Sequence, residues 1–155
     1  MRPGGTALFS LGVFGEVLPY FENSVQLDKH ATDVLGLPVP KIRFSYGDNE
    51  RRMAQHAAAA LREIVDSMGF QPSVVQDGLL VPGTRSHELG GARMGASRST
   101  SVLNQFNQCW EIPNLFVTDG ACFPSASYKG PTLTLMALTC RACEHILDEL
   151  RAGRL

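Results

Sequence analysis

The sequence predicts a mixed α/β fold, on three observations. Val39–Tyr46 alternates apolar and polar residues, the period of a half-buried strand. Met53, Ala57, Leu61, Ile64 or Val65, and Met68 recur at helical spacing. Pro131 suits the first turn of a second helical run that reaches about Leu150, because its missing N–H would be unpaired there anyway.

The elements follow in order. Thr6–Val17 alternates weakly and holds Gly12 and Gly15, which reads as a strand with a bulge or a close backbone approach. Ser24–Leu27 is a short β-prone run ending at Asp28. Asp48 or Asn49 caps the first helix and Gly69 stops it, and its apolar stripe implies a helix lying on a sheet. Residues 1–80 form one half of the chain and residues 81–155 the other. In the second half, Thr84–Ser101 is rich in Gly, Arg and Ser with little periodicity, the mark of a functional loop. Asn114–Thr118 is a short β-rich run ending at Asp119-Gly120, and Pro124–Gly130 is a loop. The last helix is apolar nearly all round in its early part (Leu133, Leu135, Met136, Ala137, Leu138), which implies burial, and more polar later.

With 155 residues, 44% hydrophobic and 19% charged, the chain has the composition of a globular domain with its own core. A net charge of -1 argues against nucleic acid or an acidic membrane surface as the main partner. No apolar run is long enough to span a bilayer, and Met1-Arg2-Pro3-Gly4-Gly5 opens no secretory signal, so a soluble chain is expected, with its localisation open. Four cysteines are too few for a disulfide scaffold at this size. Cys140 and Cys143 form C-x-x-C, but neither an activating environment nor a second ligand pair is evident. Helix packing is therefore favoured over redox chemistry, and no metal is expected.

Three segments could carry chemistry. In Ser86-His87-Glu88-Leu89-Gly90-Gly91-Ala92-Arg93-Met94-Gly95, a histidine stands in a glycine-rich loop that lets a substrate approach, and imidazoles can take a hydroxyl proton near neutral pH. The alternative is an exposed loop histidine. Asn114–Gly120 is either a good turn or a strand whose end meets an anionic ligand. Gly130-Pro131-Thr132-Leu133-Thr134 opens a helix whose free N–H groups could stabilise a developing anion, or is simply a helix start.

Together these segments resemble the C-terminal signature of the glucose–methanol–choline (GMC) oxidoreductases, flavoenzymes that oxidise alcohols and sugars. That pattern resembles H-x-x-G-x-x-R-M-G, a serine–valine pair, N-L-F-V-x-D-G-x-x-F-P, then N-P-T-L-T and an apolar helix. Here the pieces are His87 to Gly95, Ser101-Val102, Asn114 to Gly120, Phe123-Pro124, and Pro131 to Thr134. The likeness is closest to the branch with gluconate and fructose dehydrogenases and pyranose oxidase. Phe14-Gly15-Glu16, Glu22-Asn23-Ser24-Val25 and Leu37-Pro38-Val39 resemble that branch more loosely. The resemblance implies that residues 1–80 belong to a sheet-based substrate domain, and that 81–155 supply the last strand and helix of an FAD domain. It implies that His87 is the catalytic base beside flavin N5. Asp119, Gly120 and Ala121 would contact the FAD pyrophosphate and ribityl chain, with Pro131 and Thr132 near the flavin pyrimidine edge. A sugar or alcohol would be the substrate, and a cytochrome subunit is a candidate electron acceptor.

Two departures stand against the pattern. The family's second active-site residue, His or Asn, falls at Gly130, so that Lys129 or another neighbouring residue would have to replace it. The G-x-G-x-x-G loop that holds the ADP part of FAD is missing: Gly90–Gly95 neither follows a clear strand nor opens a clear helix. The chain is therefore expected to be a fragment, a truncated gene product or one half of a split enzyme. Its partner would be an N-terminal FAD-binding half, without which an apolar face should lie bare and FAD should not be retained. The rival readings are a non-catalytic binding or interaction module that keeps the fold, and a C-x-x-C redox protein.

Overall fold

The computed structural model describes residues 9–70, 78–84, 87–125 and 127–155. It contains β1 (Ser24–Thr32), β2 (Pro38–Arg43), α1 (Asp48–Ser67), a 3-10 turn (Gly120–Cys122) and α2 (Thr132–Arg151). This is the mixed α/β content expected, with fewer strands.

β1 and β2 form an antiparallel ribbon in which Val25 faces Ile42 and Leu27 faces Pro40. Contrary to expectation, β1 does not end at Asp28. The Asp28 carboxylate accepts the amides of His30 (2.8 Å) and Ala31 (3.2 Å), and the register slips there before Thr32 pairs with Pro38. Asp28 thus bulges the strand instead of stopping it. The base of the ribbon is clipped by Asn23, whose Nδ2 donates to the Ser45 carbonyl and whose Oδ1 accepts the Ser45 amide. Beyond Arg43 the chain leaves the ribbon, so the expected strand through Tyr46 is cut short.

The expected strand at Thr6–Val17 is absent over its described part, residues 9–17, where only Val17 forms an isolated bridge. That segment runs against α1 instead. Gly15 lies on the Met53 side chain, the close approach that its sequence suggested. The N-cap of α1 is Gly47, with Glu50 three residues on reaching back to its amide at 2.8 Å. Glu50 is fully buried and also accepts from the Leu18 amide (3.0 Å) and the Tyr20 hydroxyl (2.9 Å). The helix therefore does not lie on the ribbon, whose Val25, Leu27 and Ile42 stay exposed; it holds the chain that enters it.

The second half is built around buried Leu103, Cys109 and Cys122, with Ala92, Met94, Val117, Phe123 and Leu138 packed on them. The expected strand Asn114–Thr118 reduces to one bridge, Phe116 to Gln108. It is flanked by bonds from the Cys109 amide to the Leu115 carbonyl (2.8 Å) and from the Val117 amide to the Asn107 carbonyl (3.0 Å). The ladder stops because its partner turns at Asn107, whose φ of 62° is left-handed.

α2 begins after Pro131, which serves as its N-cap. The burial expected for its early part is not found: Leu133 is 79% and Met136 59% exposed, and Ala142 is its one buried residue. The core fills only one side of the helix. Cys140 and Cys143 are likewise exposed, so the packing role read for the C-x-x-C pair belongs to Cys109 and Cys122 instead. Among the described residues no helix is long and apolar enough to cross a membrane.

Candidate active site

The glycine-rich loop and the Asp119 turn are zipped together through their backbones. Gly90 donates to the Gly120 carbonyl (3.0 Å), Ala92 to that of Ala121 (3.0 Å) and Met94 to that of Cys122 (2.8 Å). Gly90 and Gly91 adopt φ of 89° and 103°, which side chains at those positions would strongly disfavour. From the other side, Gly120 packs so tightly that an added Cβ would stand 2.6 Å from the Glu88 carbonyl oxygen. The Asp119 carboxylate accepts the Ala121 amide at 2.8 Å and so caps the turn. Asp119, Gly120 and Ala121 are thereby held against the loop that carries His87.

His87 itself is exposed and left-handed, with φ of 76°. Such a backbone is uncommon for a residue with a side chain and recurs where neighbours over-determine the local geometry. Ser86, at the head of the motif, lies outside the described residues. Lys129 is an exposed loop residue, with its ammonium 4.9 Å from the centre of the Tyr128 ring and its amide 3.5 Å from the Ser127 hydroxyl. Gly130 faces open space. Pro131 and Thr132 form the N-terminal edge of α2, where the first helical N–H groups have no intrahelical acceptor. Among the described residues no hydrogen bond or ring contact links His87 to Lys129, Pro131 or Thr132. The link between α2 and the Asp119 turn comes about two helical turns further on, where the Thr139 hydroxyl reaches the Thr118 carbonyl at 3.1 Å.

Two supporting residues were not singled out from the sequence. Thr139 is one, and its signal was a lone hydroxyl within an apolar helical run. The other is fully buried Asn107, which holds Val117 from both sides: its Nδ2 donates to the Val117 carbonyl at 2.8 Å while its own carbonyl accepts the Val117 amide. Asparagine is among the few side chains that tolerate this left-handed backbone, which was a readable hint. Burial pushes the Cys122 thiol above its usual range, so it stays neutral and packs as a small hydrophobe. Beside the zipper opens a cleft of about 560 Å³ lined in part by Met94, Phe106, Trp110 and Arg141. Among the described residues no three His, Cys, Asp or Glu side chains gather as a metal-binding set.

The loop that carries His87 is thus zipped to the Asp-Gly turn, which brings together two of the three segments whose order resembles the GMC pattern, while no described contact joins His87 to the start of α2. Comparison with known proteins agrees. Residues 19–139 match the family model described as GMC oxidoreductase, and the chain belongs to that family, in its C-terminal region. It is 34% identical over 134 residues to 2-methyl-1,2-propanediol dehydrogenase of Mycolicibacterium austroafricanum, covering 86% of this chain and 24% of the relative. It is 32% identical over 148 residues to the gluconate 2-dehydrogenase flavoprotein of Pantoea cypripedii, covering 90% and 24%. It is 31% identical over 138 residues to the fructose dehydrogenase large subunit of Gluconobacter japonicus, covering 89% and 25%. The chain thus spans about a quarter of the length of these relatives.

Proposed function

We propose that this chain supplies the active-site portion of an FAD-dependent oxidoreductase that oxidises a CH–OH group of an alcohol, sugar or sugar acid. The observation that carries the reading is the backbone zipper between the His87 loop and the Asp119–Cys122 turn. The three relatives, named for a diol, a sugar acid and a sugar, support the substrate class.

The residues present fit FAD as a minority of its site. Asp119, Gly120 and Ala121 would meet the pyrophosphate and ribityl chain, and Pro131 and Thr132 the pyrimidine edge at the positive end of α2. FAD, when bound, supplies the acceptor for the hydride leaving the substrate carbon. His87 accepts the hydroxyl proton in the same oxidation, so the CH–OH group becomes a carbonyl with the proton on imidazole. The exposed His87 and the open space at Gly130 leave room for a substrate between them and the remainder of the enzyme. Lys129, next to Gly130 in the sequence, would orient the substrate oxygen. Residues 1–80 contribute to the substrate domain and 81–155 complete the flavin domain. The other portion of the flavin site would come from an N-terminal FAD-binding half, and a cytochrome subunit is a candidate acceptor of the electrons.

A second reading, a binding module that keeps the fold without the chemistry, is favoured by the missing side chain at Gly130. One experiment separates the two. The corresponding quarter of the Pantoea gluconate 2-dehydrogenase flavoprotein is replaced by this chain, and anaerobic flavin reduction is followed with a sugar acid, a sugar and a diol. Reduction by one of them, slowed roughly 10²–10⁴-fold by His87→Ala at unchanged flavin content, is expected. A flavin-loaded chimera that no substrate reduces, or a His87→Ala variant as fast as its parent, would sink the catalytic reading.

A further inference from the structure

At the Met94 end of the zipper lies the cleft of about 560 Å³. Its volume is that of a small-molecule site, about 300–1,000 Å³. None of His87, Asp119, Gly120, Ala121, Pro131 and Thr132 lines it. Its aromatic walls are set before any ligand arrives. Phe106 stacks on His145 of α2, with ring centres 4.1 Å apart and planes 13° from parallel. The Trp110 indole is fixed through its Nε1, which donates to the Ser101 hydroxyl at 2.9 Å. Side chains held in this way lose little freedom when a ligand lands on them.

Arg141 brings the cleft its charge. Among the described residues no carboxylate lines the cleft and no ion pair holds the Arg141 guanidinium, which makes only a long contact, 4.0 Å, to the Met94 sulfur. Arginine presents a planar fork of N–H donors that is charged at every working pH and matches a carboxylate two bonds at a time. We propose that the cleft binds a small organic anion, with its carboxylate on Arg141 and a flat apolar body against Phe106 and Trp110. A neutral sugar fits less well, because the Asn104 amide is already committed to the Gln108 side chain and the Phe106 amide. The site also couples to the loop of His87. Met94, whose amide closes the zipper on the Cys122 carbonyl at 2.8 Å, stands in one wall, and Pro124, two residues past Cys122, stands in another. An occupant touching both walls holds the zipper shut.

Trp110 is the chain's one tryptophan, so its fluorescence reports the cleft directly. The full chain is titrated with 4-nitrobenzoate and, separately, with neutral 4-nitrobenzamide. The anion should quench along a saturable curve, and the amide should bind about 10-fold more weakly for want of a charge-assisted hydrogen bond. Arg141→Gln should abolish that preference at an unchanged melting temperature, and Arg141→Lys should recover part of it. Arg52→Gln, at an exposed position of α1, should leave it intact. With the anion at about ten times its dissociation constant, hydrogen exchange at the Met94 amide should slow about 10-fold, because only the zipped form binds. Quenching that never saturates, equal affinity for the two probes, or an Arg141→Gln variant that still prefers the anion would overturn the proposal. So would saturable binding that leaves Met94 exchange unchanged. The same exchange measurement in the gluconate dehydrogenase chimera should show the same slowing. No response of Met94 there would assign the cleft to the rest of the enzyme and would equally overturn the proposal.

Discussion

Gly90 donates its amide to the carbonyl of Gly120 at 3.0 Å, the first rung of the zipper that fixes the His87 loop. That rung exists because Gly90 can adopt its left-handed φ of 89° and Gly120 has no side chain in the way. An alanine at 120 would place its Cβ 2.6 Å from the Glu88 carbonyl and 2.8 Å from Leu89 Cδ2, the first of which is backbone and cannot rotate aside. Gly120→Ala should therefore push the two strands of the zipper apart and cost about 1–3 kcal/mol. Urea unfolding reads the loss, and limited proteolysis within residues 87–92 should become faster. A variant that unfolds at the wild-type urea concentration would show that the zipper is slack.

Asn107 supports the same turn from below. Its left-handed backbone and its bond to the Val117 carbonyl can be separated by two substitutions. Asn107→Gly and Asn107→Ala both lose the side-chain bond, an effect of about 1 kcal/mol, but only alanine also bears the left-handed penalty, about 1 kcal/mol more. The expected order of urea midpoints is wild type, then glycine, then alanine. Alanine equal to or above glycine would show that the backbone there relaxes.

Much of this was legible in the sequence, where local periodicity decided the outcome. Both helices follow from their stripes, and Gly69 and Pro131 mark their ends as expected. The motif loops fall where glycine, proline and asparagine put them. What could not be read depends on partners distant in sequence. β1 passes Asp28 because a carboxylate that often closes a turn instead bulges the strand in register with Pro38–Arg43. Asn114–Thr118 has the composition of a strand, but its neighbour bends at Asn107 after a single bridge. The apolar early part of α2 predicted burial all round, but the chain's own loops cover one side only and leave Leu133 and Met136 exposed. The cap of α1 was misplaced: Asp48 or Asn49 was expected, whereas Gly47 takes that position because Glu50 reaches back to its amide, and the bonds of Glu50 to Leu18 and Tyr20 come from a segment distant in sequence.

Thr139 tests how α2 is tied to the turn. Its hydroxyl faces both the Thr118 carbonyl (3.1 Å) and the Leu135 carbonyl of its own helix (2.9 Å). Thr139→Val keeps the shape and removes the donor, with an expected loss of about 1 kcal/mol, whereas Thr139→Ser should retain most of the stability. Thermal melts of the three proteins decide it. Valine melting with the wild type would show that the tie contributes nothing to stability.

Glu50 sets the acid limit of the first half. Burial alone would raise its carboxyl pKa. The Leu18 amide, the Tyr20 hydroxyl and the Gly47 amide all donate to it and together outweigh burial, so the folded value lies below the ordinary one. A carboxyl depressed on folding contributes stability that is present above its unfolded pKa, about 4.3, and is lost as pH falls through the folded value. Lowering pH from about 6 to about 3 should therefore release the segment around Leu18 and Tyr20 from α1. Tyrosine fluorescence and hydrogen exchange at the Leu18 amide would report the release. Glu50→Gln keeps acceptor capacity on its carbonyl oxygen but cannot titrate; it should be less stable near neutrality and lose its pH response in that window. The same acid transition in Glu50→Gln as in wild type would place the responsible carboxyl elsewhere.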